Sequence, residues 1–123
     1  MAKTALELTP EEWKRYTVPK RQVSAEVMQR WEKAWKLIPK LTTLLRDRFS
    51  ATQIKVFGSA IKVDYFSLDS DIDLAAWDIP KGKYYEAFLA VMDCSEEFKV
   101  DLVNPNTCRP WILESIDEEG IEV

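Results

Sequence analysis

Two aspartates separated by one residue, Asp71 and Asp73, have the residue type and spacing for metal chemistry. An apolar run follows them, and together they predict a strand over residues 71–77. Because side chains alternate between the two faces of a strand, both carboxylates are expected on one face, while Ile72 and Leu74 enter the core. Carboxylate oxygens are ligands that suit Mg²⁺, whose remaining positions are usually filled by substrate phosphates and water.

A third carboxylate, Asp101, interrupts an apolar segment that predicts a strand over residues 98–103. Burying an unpaired carboxylate is costly, so its position needs an explanation. One explanation is that Asp101 lines a metal site beside Asp71 and Asp73. The other is an edge strand that leaves Asp101 in water.

The pair Gly58-Ser59 ends a third predicted strand, over residues 53–57. Glycine lets the backbone approach a ligand closely, and the following N–H groups and the serine hydroxyl can hold phosphate oxygens. Ser70, directly before the first aspartate, is a further candidate for nucleotide contact. Either motif alone more often closes a turn or caps an element. Their combination, in this order and spacing, indicates a site for a metal and a phosphate.

The composition limits the chemistry that this chain can perform. Its 123 residues suffice for one domain, with 46% apolar and 31% charged residues. The net charge of −4 argues against direct nucleic-acid binding. Histidine is absent, which excludes a Ser-His-Asp triad and histidine-ligated zinc. Two cysteines without metal-site spacing, and no signal peptide or long apolar run, predict a cytoplasmic protein with no membrane segment.

The predicted elements alternate between helix and strand. A short helix begins at Thr9, and Ser24 begins a long helix to Phe49 that Pro39 should kink or split. Its tryptophans are most simply core residues, although one or two could face a partner. Further helices are predicted over 84–92 and 110–119, with a loop or short helix over 60–70. These elements predict an α/β domain spanning 1–123: a small mixed β-sheet with flanking helices, and residues 1–50 as an N-terminal helical extension and a helix packing on the sheet.

The set of Gly58-Ser59, Asp71-x-Asp73 and Asp101 resembles the nucleotidyltransferase fold of the DNA polymerase beta superfamily. The small size and the ending over residues 112–121 resemble the minimal nucleotidyltransferases, which are often encoded beside HEPN-domain ribonucleases as the antitoxin of a pair. The resemblance covers residues 40–123. Two features depart from the family pattern: the segment 60–70 is one residue longer, and a glycine common after the Gly-Ser pair is absent.

The resemblance implies a nucleotidyltransferase that transfers AMP from ATP to a tyrosine hydroxyl of a HEPN-type ribonuclease toxin, in a possible hetero-oligomer. It implies that two Mg²⁺ ions are held by the catalytic residues Asp71, Asp73 and Asp101. The nucleotide-binding residues would be Gly58, Ser59 and Ser70. An alternative is a binding antitoxin with weak or no catalysis, which neutralises its partner by complex formation. The two departures favour this alternative, and the presence of all three aspartates opposes it.

Overall fold

The computed structural model describes residues 23–123. Its helices and strands are α1 (Ala25–Phe49), β1 (Gln53–Phe57), β2 (Ile72–Trp77), α2 (Tyr84–Met92), β3 (Val100–Val103), α3 (Pro110–Glu119) and β4 (Ile121–Glu122). Two short 3₁₀ helices, Gly58–Ile61 and Val63–Tyr65, lie between β1 and β2. The short helix predicted from Thr9 lies outside the described residues.

The four strands form one mixed sheet in the order β3-β2-β1-β4. Strand β1 is antiparallel to both β2 and β4, whereas β2 and β3 are parallel. A parallel pair requires a crossover connection, and α2 lies in that connection. The prediction of an α/β fold with a small mixed sheet and flanking helices is confirmed. Because β2 and β3 run in the same direction, their corresponding residues lie side by side.

Helix α1 begins and ends at residues suited to those positions. The Ser24 side chain accepts a hydrogen bond from the Val27 backbone N–H at 3.2 Å, as an N-cap does. Ser50 ends the helix in the left-handed region, with φ 61°. Pro39 lies inside the helix, which continues through it, so the predicted split does not occur.

One stripe of α1 covers the sheet. Its buried residues recur at helical spacing: Ala34, Ile38, Leu41, Leu45 and Phe49. They share one core with the buried side chains of the central strands, and Ile72 and Leu74 are fully buried there as predicted. Fully burying such an aliphatic side chain contributes about 1.5–3 kcal/mol. Burial of these side chains therefore fixes which residues of β2 and β3 face the core, and with it the register between the two strands.

Several boundaries differ from the prediction. Strand β2 begins at Ile72, so Asp71 directly precedes the strand, and β3 begins at Val100 rather than at 98. Strand β4 was not predicted, because a two-residue strand after a helix has too short a pattern to detect. Among the helices that the structure describes, none is long and apolar enough to cross a membrane.

Candidate functional site

The carboxylates of Asp73 and Asp101 belong to directly paired residues of neighbouring strands. In the parallel register of β2 and β3, Asp73 lies opposite Asp101, between the apolar pairs Ile72–Val100 and Leu74–Leu102. The prediction of an edge strand also holds, since β3 lies at one edge of the sheet. Asp101 is nevertheless half-buried, on a strand position beside another aspartate.

The electrostatics of Asp73 show that the carboxylates act on one another. Burial, followed by the charges of Asp101 and Asp71, raises the pKa of the Asp73 carboxyl from 3.8 to about 6, and the charge of Lys99 opposes this rise. Two negative charges thus disfavour a third at Asp73. Within residues 23–123 no group of three or more histidine, cysteine, aspartate or glutamate side chains is arranged to hold a metal ion. The charges of Asp71 and Asp101 therefore act on Asp73, although the three side chains are not grouped around one point.

Gly58 lies against the Asp73 carboxylate. Its φ of +74° is a conformation that side-chain-bearing residues rarely adopt, and its neighbour Phe57 pairs with Asp73 across β1 and β2. A Cβ atom at Gly58 would collide with Oδ2 of Asp73 and lie 3.3 Å from its Cγ. Glycine is therefore required here for two reasons, the backbone conformation and the close approach of the carboxylate.

Two tryptophans of α1 hold the turn that follows Gly58. The indole N–H groups of Trp31 and Trp35 both donate to the backbone carbonyl of Ala60, each at 2.9 Å. The two rings are tilted by 59° with centroids 6.2 Å apart. Their spacing of four residues puts them on one face of the helix. Both side chains are half-buried, and they tie α1 to the Gly58–Ile61 turn.

A cleft of about 440 Å³ contains Gly58 and both paired aspartates. Its lining joins the ends of three strands to helix α3, and consists of Phe57, Gly58, Asp73, Asp101, Leu102, Val103, Trp111, Ile112 and Ser115. The sequence interpretation missed Trp111. One signal could have found it: Pro110 begins α3 soon after β3 ends, and this puts Trp111 in the first turn of the helix.

The remaining predicted site residues lie around the cleft without lining it. Ser59 is half-buried in the turn beside Gly58. The Ser70 hydroxyl accepts a hydrogen bond from the Ser67 backbone N–H at 2.9 Å, and the Ser70 carbonyl accepts one from Arg30 at 3.0 Å. Ser70 therefore shapes the loop that leads into β2. Direct contact of Ser59, Ser70 and Asp71 with a ligand stays a prediction.

Arg30 anchors this loop from the side of α1. Its guanidinium lies over the Phe98 ring, 4.4 Å from the centroid, and 5.9 Å from that of Phe66. Such cation–π contacts contribute about 0.5–2 kcal/mol, with the larger values where water is excluded. Helix α1 thus supports both segments that flank the aspartates: the turn after β1 through its tryptophans, and the loop before β2 through Arg30.

No known family model matches this chain, and no curated protein matches it.

Proposed function

We propose that this protein is a Mg²⁺-dependent nucleotidyltransferase that uses ATP. The observation that carries the proposal is the pairing of Asp73 with Asp101 in a cleft where the backbone of Gly58 lies against the Asp73 carboxylate. This arrangement brings together carboxylates for a hard cation and, in the turn beside them, backbone N–H groups that can bind phosphate. The polymerase beta-like resemblance supports it.

The donor set fits magnesium. Mg²⁺ is usually bound by one or two carboxylates together with substrate phosphates and water, so the pair of Asp73 and Asp101 suffices on the protein side. Burial, and then the charges of Asp101 and Asp71, raise the pKa of Asp73, and a bound cation would offset all three effects by favouring the ionised carboxylate. Asp71 adds to that charge and is the candidate third ligand. When bound, Mg²⁺ would neutralise phosphate charge and favour ionisation of an attacking hydroxyl.

The residues in and beside the cleft have separate roles in the proposed reaction. The backbone N–H groups of the turn that begins at Gly58, together with the Ser59 hydroxyl, are the candidate donors to the triphosphate. The acceptor oxygen forms a bond to the α-phosphorus of ATP, while the bond to the bridging oxygen breaks and pyrophosphate leaves with the electron pair. The hydroxyl proton passes to a base, for which Asp101 is the candidate.

The proposed acceptor is a tyrosine of a HEPN-type ribonuclease toxin in the cytoplasm, where ATP is present. Its support is the subgroup resemblance and the net charge of −4, which suits a basic nuclease surface. The second candidate is the binding antitoxin. Two sequence features favour it: the segment 60–70 is one residue longer than in the family pattern, and the glycine common after the Gly-Ser pair is absent.

The test is to incubate this protein with the ribonuclease, ATP and Mg²⁺, separate them, and weigh the ribonuclease by intact mass spectrometry. We expect an added AMP unit with the wild-type protein and none with Asp71→Ala/Asp73→Ala. Asp69→Ala is the matched control, because this exposed aspartate lies in the loop before β2 and outside the cleft. If the mass of the ribonuclease is unchanged, and its activity is inhibited only while it is bound to this protein, the binding antitoxin is supported instead.

A further inference from the structure

Trp111 is 66% exposed although it lines the cleft. A tryptophan left in water presents a large flat apolar surface, and such residues are enriched where ligands or partners bind. Backbone hydrogen bonds order the turn that leads into its helix. The N–H groups of Thr107 and Cys108 both bond to the Asn104 carbonyl, at 3.1 and 3.0 Å, and Pro110 then begins α3.

The cleft changes character along β3. Asp101 and Val103 are two residues apart, so their side chains lie on the same face of β3, and both residues line the cleft. Since a strand rises about 3.3 Å per residue, Val103 lies about 7 Å beyond Asp101 along the strand. Helix α3 adds Trp111 and Ile112 to the same cleft. The cleft therefore has an apolar wall, formed by Val103, Trp111 and Ile112. A ligand that fills the cleft must bring positive charge to the aspartates and an apolar surface to this wall.

We propose that this apolar wall is a subsite for a nucleobase that stacks on Trp111. The inference rests on the proposed function, since it assigns the base of a nucleotide whose phosphates lie at Gly58 and Asp73. A free metal phosphate would leave the wall in water. A purely apolar ligand would leave the carboxylates without a partner. A nucleotide bound together with Mg²⁺ satisfies both parts of the cleft, because the cation neutralises the carboxylates and the base covers the apolar wall.

The lining also determines how the base is selected. Beside the apolar wall, Ser115 supplies a hydroxyl, four residues after Trp111 and hence on the same side of α3. A hydroxyl both donates and accepts hydrogen bonds, so it discriminates weakly between the edges of adenine and guanine. Ring size then decides the preference. Purines bind more tightly than pyrimidines, because they overlap more of the indole, and the two purines bind alike.

The experiment measures binding by isothermal titration calorimetry in excess Mg²⁺, with ATP, GTP, CTP and inorganic tripolyphosphate as probes. The proteins are the wild type, Trp111→Ala, Trp111→Phe and the control Tyr85→Ala. Tyr85 is an equally exposed aromatic residue, 72% accessible, that does not line the cleft. Melting temperatures are recorded for each variant, and little change is expected because both side chains are largely in water.

Trp111→Ala should weaken ATP and GTP roughly 5- to 150-fold, the range measured for loss of one base-stacking aromatic, and leave tripolyphosphate within about twofold. Trp111→Phe should retain most of the nucleotide affinity, and Tyr85→Ala all of it. An equal loss for nucleotides and tripolyphosphate, or no loss for either, overturns the base subsite. So does an absence of nucleotide binding by the wild type, which also removes the proposed function. Nucleotide binding that depends on Trp111 without any AMP transfer keeps the subsite and overturns the reaction alone.

Discussion

Replacing Asp73 by asparagine should stabilise the protein at neutral pH. The wild-type carboxyl has a pKa of about 6 in the fold and 3.8 as its ordinary value, because burial and the neighbouring carboxylates oppose its ionisation. Below pH 3.8 the group is neutral in both the folded and the unfolded states and carries no penalty. As the pH rises from 3.8 through 6, the unfolded chain ionises more easily than the folded protein. The free energy of unfolding therefore falls until the folded carboxyl is ionised as well. Asparagine keeps the shape and removes the charge.

The size of the effect follows from the shift. A difference of about two pKa units corresponds to roughly 3 kcal/mol at 1.36 kcal/mol per unit. Asp73 is only half-buried, so solvent screening reduces this to about 1–2 kcal/mol. For a domain of this size the melting temperature should rise by roughly 4–8 °C at pH 7.5. The gain should shrink as the pH is lowered and vanish near pH 3.5.

Urea denaturation at several pH values between 3.5 and 8, with EDTA present, measures this difference. Asp69→Asn, a change of the same chemistry at an exposed loop position, should show no pH-dependent gain. Repeating the series with Mg²⁺ should stabilise the wild type more than Asp73→Asn. If Asp73→Asn is no more stable than the wild type at pH 7.5, or if its gain is independent of pH, the electrostatic reasoning is wrong.

Three further predictions concern the supports of the site. Gly58→Ala should cost about 1–3 kcal/mol of unfolding free energy, and less in an Asp73→Ala background, because the new methyl group meets the Asp73 carboxylate; equal costs in a urea double-mutant cycle would contradict this contact. Trp31→Phe and Trp35→Phe should each be mild, whereas the double variant leaves the buried Ala60 carbonyl without its donors and should cost about 1–3 kcal/mol more than their sum; additive losses would exclude a shared acceptor. Tyr84→Phe should cost about 0.5–1.5 kcal/mol in thermal unfolding, because its hydroxyl donates to the Ala76 carbonyl at 2.7 Å; an unchanged melting temperature would show that this bond contributes nothing.

Local signals were sufficient to predict most of the elements. Strand β1 and helices α2 and α3 have the predicted bounds, because Gly58, Met92 and Pro110 lie at clear changes of pattern. The alternation of Asp73 with buried Ile72 and Leu74 was also correct, since period-two burial is a local property. Strand pairing is not local. That β3 lies parallel to β2 and aligns two aspartates depends on the crossover through α2.

The supporting contacts could not be predicted from the sequence. Helical periodicity assigns Trp31 and Trp35 to one stripe of the helix but does not indicate that their N–H groups meet one carbonyl, 29 and 25 residues away respectively. Likewise, Gly58 was interpreted as room for a phosphate, whereas in the structure the nearest atom belongs to Asp73. Such contacts depend on how α1 lies on the sheet, which single-sequence patterns do not specify.

These contacts explain how the fold keeps the carboxylates close together against their mutual repulsion. The repulsion at Asp73 favours separation of β2 from its neighbours or rotation of the side chain away from the cleft. Gly58 restricts the space on one side, and the tryptophans hold the Gly58–Ile61 turn in place through Ala60. The apolar pairs on either side of Asp73 and Asp101 oppose separation of the strands. The unfavourable charge is therefore retained by packing around it, which is the pattern expected when a site is organised before its ligand binds.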